Sequence, residues 1–167
     1  MSSSSQSDNE RILRLIGAIV LVSQDAERYL KITLPFMGTE DASLNESLKK
    51  HEKLKKRTLV ELAGRFVDST TSDSLDFEQH LAYLVATRNQ VVHHFNETYG
   101  ERLSSGSYQE VFDSLETLLA NLKTFRSVVE QLSLAVFEGL RDVTFRGTPE
   151  YGQMATLCAS FRARVAS

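Results

Sequence analysis

Apolar residues recur along this chain every three or four positions, the period of an amphipathic helix, and no stretch shows the strict alternation of a strand. Capping pairs mark the helix starts: Ser7 with Glu10, Ser43 with Glu46, Asp76 with Gln79, and Ser107 with Glu110. Thr148-Pro149 adds a fifth start by placing proline at a helix's first position. The pattern therefore predicts an all-α fold of about five helices. The first runs from about Asp8 to Phe36, ending after Pro35; the second from about Leu44 to Val67; the third from Phe77 to about Phe95. The fourth begins near Tyr108 and the fifth near Glu150. Asp68 to Ser74 and Gly100 to Ser107 are rich in serine, threonine and glycine and read as loops. The fourth helix keeps its apolar period from Val111 to Leu140, longer than most globular helices. A kink or break is expected near Gly139 or between Lys123 and Gln131. Residues 1–7 read as a disordered Ser-rich tail and 8–167 as a single helical domain.

The third helix departs from its own pattern at one place. At 100° per residue Phe77, Leu81, Leu84, Val92 and Phe95 form an apolar stripe, and Arg88 falls at its centre. Burying an unpaired guanidinium costs several kcal/mol, so an acid, a phosphate or a second chain is expected beside it. A second seam runs through Ala82, Ala86, Asn89 and His93, where small residues would let another helix approach. Arg88 and His93 are five residues apart, about 7.5 Å along the axis, and point in different directions. One straight helix cannot aim both at the same atom. Either the helix is distorted near Val91 to His94, or a second copy of the chain supplies the other half.

Arg88-Asn89 followed by His93, late in an apolar helix of a small all-helical chain, resembles the signature of the HEPN family (higher eukaryotes and prokaryotes nucleotide-binding). That signature is an arginine, four to six residues, then a histidine, often with a polar residue directly after the arginine. The resemblance covers six positions and a general likeness of helix order. It implies a helical bundle that pairs as a homodimer through the motif-bearing helix, the two motifs facing each other. Many such proteins are metal-independent ribonucleases, often toxins or defence effectors held in check by an antitoxin or another regulatory protein; others only bind. Relatives paired with a nucleotidyltransferase antitoxin carry a tyrosine two positions after the histidine. Phe95 stands there in this chain, so modification of a hydroxyl at that place is excluded.

Composition narrows the setting. The 167 residues are 41% hydrophobic, enough for one domain with a real core. A net charge of −3 argues against a general polyanion binder, so any nucleic-acid contact must be local. The single cysteine, Cys158, cannot form an internal disulfide and favours a reducing compartment. The N-terminus lacks the features of a signal peptide, and the apolar run Leu15 to Val22 is too short for a membrane span. A cytoplasmic protein without membrane contact is expected. The four histidines, His51, His80, His93 and His94, show no zinc-ligand spacing, and there is no glycine-rich phosphate loop. Neither a metal nor a cofactor is expected.

Two further features bear on Arg88. Leu13, Ile16, Val20, Ser23, Glu27, Leu30 and Leu34 form a seam on the first helix, so Glu27 either pairs with Arg88 or lies at the stripe's edge and reaches water. Lys49, Lys50, Lys53, Lys55, Lys56 and Arg57 concentrate six cations in about two and a half turns. They would draw in an RNA backbone, or simply form a solvated helix face.

Cleaving RNA through its own 2′-hydroxyl requires a group that takes a proton, one that returns a proton, and positive charge on the phosphoryl oxygens. His93 suits the proton transfers because imidazole titrates near neutrality, and Arg88 suits the charge. Asn89 would orient the histidine or the phosphate, with a minor role for His94. The structural reading needs none of this: an arginine on an apolar face is often an interface or ion-pair residue, and a histidine at a helix end often caps carbonyls. Two functions follow, a dimeric endoribonuclease or a non-catalytic helical dimer that binds nucleotide, RNA or a partner protein.

Overall fold

The computed structural model describes residues 2–37, 49–50, 52–54, 56–69 and 75–165, with backbone alone at 2–5, 67–69, 75–77 and 164–165. The fold is all-helical, with no strand among the described residues. Helix α1 spans Ser2–Thr33, α2 Leu59–Ser69, α3 Leu75–His93, α4 Phe95–Ser104, α5 Tyr108–Gly139 and α6 Tyr151–Val165. A 3₁₀ turn, Leu34–Phe36, follows α1, and a π turn, Leu140–Thr144, follows α5. No described helix is long and apolar enough to cross a membrane.

The helix boundaries show which local signals dominate. Backbone helix begins at Ser2, ahead of the expected start near Asp8, so Ser7 and Glu10 lie within α1. The chain leaves α1 through the 3₁₀ turn containing Pro35, whose missing N–H cannot continue the ladder. The expected second helix is interrupted: Lys49-Lys50 and Glu52–Leu54 are helical, but a new helix starts at Leu59. Thr58 makes that start, because its backbone N–H donates to Glu61 Oε2 at 3.0 Å, the glutamate's half of a capping box. The expected Ser43–Glu46 cap lies outside the described residues, as does the Asp76 side chain. The break expected late in the fourth helix falls at the π turn after Gly139, where Phe145 N–H reaches Leu140 O at 2.9 Å. Between Lys123 and Gln131 helix α5 is continuous.

Contacts gather the chain into two compact units, Met1–Asp25 with Ser72–Arg126, and Ala26–Thr71 with Ser127–Ser167. In the first, Ile12, Ile19, Leu81, Leu84, Val85, Val91, Tyr99, Val111, Phe112, Leu115, Leu118, Leu122 and Phe125 are buried. Each such side chain contributes about 1.5 to 3 kcal/mol by leaving water. Arg11 reaches Glu116 Oε1 at 2.6 Å while its guanidinium lies 4.1 Å over the Phe112 ring. In the second unit, Tyr29, Phe137 and Phe161 form an aromatic cluster with ring centroids 5.3 to 5.8 Å apart. Two polar contacts cross from α1 to α5 within that unit. Tyr29 Oη donates to Glu130 Oε1, and Thr33 Oγ1 lies 2.5 Å from Ser133 Oγ. Cys158 is buried there, and burial pushes its thiol pKa up.

The seam of α1 differs from its expected course. Ile12, Ile19, Ser23, Ala26, Tyr29, Leu30 and Thr33 are the buried positions, whereas Leu13 is 68% exposed. Leucine, isoleucine and valine occupy several faces of this helix, so two overlapping stripes share the same periodicity and only packing selects between them.

Candidate functional site

Helix α3 carries the motif in the first unit. Leu81, Leu84, Val85 and Val91 are buried and anchor it, while Val92 is half-buried. Arg88 is half-buried; Nη1 donates to Asn89 Oδ1 at 2.9 Å, and Nε is shielded from solvent. The guanidinium takes part in further interaction besides this bond. The guanidinium is thus held by Asn89 rather than sweeping through water.

His93 is the last residue of α3 and is exposed. His94 then leaves helical geometry, with φ −129° and ψ 31°, and α4 begins at Phe95. The ladder is carried across this step by His94 N–H to Gln90 O and Thr98 N–H to His94 O, both 3.0 Å. The distortion expected near Val91 to His94 is therefore present, but it comes after His93. Arg88 and His93 still belong to one regular helix and diverge by about 140° around its axis. His94 Nδ1 lies 3.0 Å from Glu97 Oε2, a contact made within the start of α4.

Helix α4 itself was not expected, since Gly100 to Ser107 read as a loop. Its anchor is Tyr99, buried and set 5.1 Å from the Phe95 ring. Burial raises the Tyr99 pKa, Arg102 opposes the rise, and Tyr83 adds to it. The tight exit at Gly106 uses φ +81°, which favours glycine. The second seam of α3 faces outward: Ala82, Ala86 and His93 are exposed and Asn89 is half-buried.

Glu27 belongs to the second unit, is half-buried at the edge of α1's buried face, and lies 3.7 Å from Lys31 Nζ. The basic stretch also belongs to that unit. Lys49, Lys50, Lys53, Lys56 and Arg57 are exposed; Lys55 lies outside the described residues. Lys50, Lys53, Arg57 and Arg65 line a cavity of about 270 Å³ over Leu34, Pro35 and Leu54. Arg57 reaches Glu61 Oε1 at 2.7 Å. Arg65 was absent from the expected basic set, although it shares one face of α2 with Glu61, four residues before it.

Compared with family models, curated proteins and solved structures, the chain matches none.

Proposed function

We propose that this protein is a metal-independent endoribonuclease of HEPN type, acting as a homodimeric toxin or defence effector under the restraint of a partner protein. One observation carries the reading: Arg88 is held by Asn89 on a helix that stays regular through His93. The two functional groups of one chain diverge, so a shared reacting phosphate requires the second copy. The exposed Ala82 and Ala86 offer a close-approach seam on the same helix. In the composite site the arginines stabilise charge developing on the phosphoryl oxygens. One histidine removes the 2′-hydroxyl proton as that oxygen attacks phosphorus; the other returns a proton to the departing 5′-oxygen. The products are a 2′,3′-cyclic phosphate and a 5′-hydroxyl. The basic cleft of the second unit supports this reading as a separate attraction for the RNA backbone, one that weakens as salt rises.

Purified protein incubated with single-stranded RNA and a chelator should yield cyclic phosphate ends. Arg88→Ala and His93→Ala should each abolish cleavage, while His94→Ala should stay within about threefold of the parent because its imidazole engages Glu97. Mixing the two inactive variants should restore no cleavage, since each mixed dimer supplies only one of the two histidines and one of the two arginines. RNA left intact across many sequences would replace this reading with the non-catalytic helical dimer.

A further inference from the structure

A second concave surface lies on the motif-bearing helix, in the same unit as Arg88 and on a different face of α3. It is a cavity of about 340 Å³, within the ordinary range of small-ligand sites, bounded by α3, α4 and α5. Tyr83 and Thr87 come from α3, Tyr99 from α4, and Asp113, Ser114 and Asn121 from α5. No lysine or arginine lines it among the described residues, so it is not built for a phosphate.

Hydrogen-bond polarity narrows the occupant further. Thr87 Oγ1 donates to Tyr83 O at 2.9 Å and Ser114 Oγ to Glu110 O at 2.8 Å, so both hydroxyl protons are used internally. Their remaining capacity is as acceptors. Asp113 is acceptor-only when ionised; Oδ1 takes Gln109 Nε2 at 2.7 Å, and the carboxylate keeps lone pairs for other donors. Asp113, Thr87 and Ser114 thus group acceptors on one part of the lining, while the hydroxyls of Tyr83, Tyr99 and Thr117 and the amide of Asn121 can also donate. Tyr83 stands at the rim with 64% of its surface exposed, an aromatic face with room for stacking.

From this arrangement we infer that the cavity is a nucleobase pocket that selects guanine. Among the four RNA bases only guanine presents two adjacent donors, N1–H and the N2 amine, on one edge, the pair that a carboxylate binds with both oxygens. Adenine, cytosine and uracil each place an acceptor beside their donor, which would face Asp113 with like polarity. A guanidinium also carries paired donors and stacks on tyrosine, but it has no acceptor for the Asn121 amine, whereas guanine has O6 and N7. In the proposed nuclease the pocket would choose the base near the cut; that role rests on the cleavage reading, and base binding does not.

The full-length protein, followed by NMR amide shifts, is titrated with GMP, AMP, CMP and UMP. GMP should bind at least about tenfold more tightly than the others, and Asp113→Asn or Tyr83→Ala should weaken it by about tenfold or more. Both residues are exposed, so the melting temperature should hold and separate lost binding from lost folding. Equal affinity for the four nucleotides, GMP binding unmoved by both substitutions, or displacement of GMP by methylguanidinium would overturn the assignment. Protein that binds GMP through these residues but leaves RNA intact would keep the pocket and remove the nuclease. Protein that cuts RNA with no preference near guanine would keep the nuclease and remove the pocket's role in choosing the base.

Discussion

Arg88 Nη1 donates to Asn89 Oδ1 at 2.9 Å, so two consecutive residues of α3 join their polar ends across the boundary between its two faces. The bond orients the guanidinium and leaves the amide nitrogen of Asn89 available to a ligand. Asn89→Ala removes the acceptor, and a hydrogen bond to a charged partner contributes about 1.5 to 3 kcal/mol. RNA cleavage should fall by roughly ten- to a hundredfold in single-turnover assays. Asn89→Asp keeps an acceptor and should retain more activity than alanine. An alanine variant as active as the parent would mean that the bond does not position Arg88.

The cap at the start of α2 makes stability depend on acid. The Thr58 backbone N–H, then the Arg57 guanidinium, bond the Glu61 carboxylate and hold its pKa below the usual carboxylate range, more than offsetting desolvation. A carboxyl group lowered in the folded state stabilises the fold above its unfolded value and loses that contribution as pH falls through the folded value. Glu61→Ala should therefore destabilise the protein near neutrality, and the difference from the parent should shrink steadily below about pH 4.5. Urea unfolding at a series of pH values measures it. A difference that stays constant down to acid would assign the effect to helix propensity instead.

Helical class was legible because period alone separates helix from strand, and Leu81, Leu84, Leu115 and Leu122 fall on the buried faces their spacing predicts. The break before Leu59 was also written in the chain: Thr58 and Glu61 form the same three-residue pair that marked the other starts, but the run of charges from Lys49 to Arg57 before it masks it as a continuous helix face. Helix α4 was harder to read. Phe95 and Tyr99 supply only one apolar turn, and the anchoring of Tyr99 is a tertiary contact that local sequence does not specify. The motif residues were named by spacing, whereas the lining of the Tyr83 pocket comes from three helices and has no local signature.

The polar contacts between α1 and α5 were equally hidden, because an inward glutamate looks like a surface residue until its partner is known. Glu130 is 4% exposed and accepts the Tyr29 hydroxyl, while Thr33 and Ser133 meet one turn along. Thr33 and Ser133 also bond back to Tyr29 O at 2.8 Å and Val129 O at 2.7 Å, so the two pairs sit in one hydrogen-bonded patch. Tyr29→Phe keeps the ring contact with Phe161 and removes the donor to Glu130. Losing one donor at a buried acceptor should cost about 1 to 3 kcal/mol, read from urea midpoints at constant slope. Replacing Glu130 by leucine alone should also destabilise, but the double variant should lose less than the sum, because removing both partners leaves no buried hydroxyl seeking its acceptor. Strict additivity of the two substitutions would show that Tyr29 and Glu130 act on stability independently, their proximity notwithstanding.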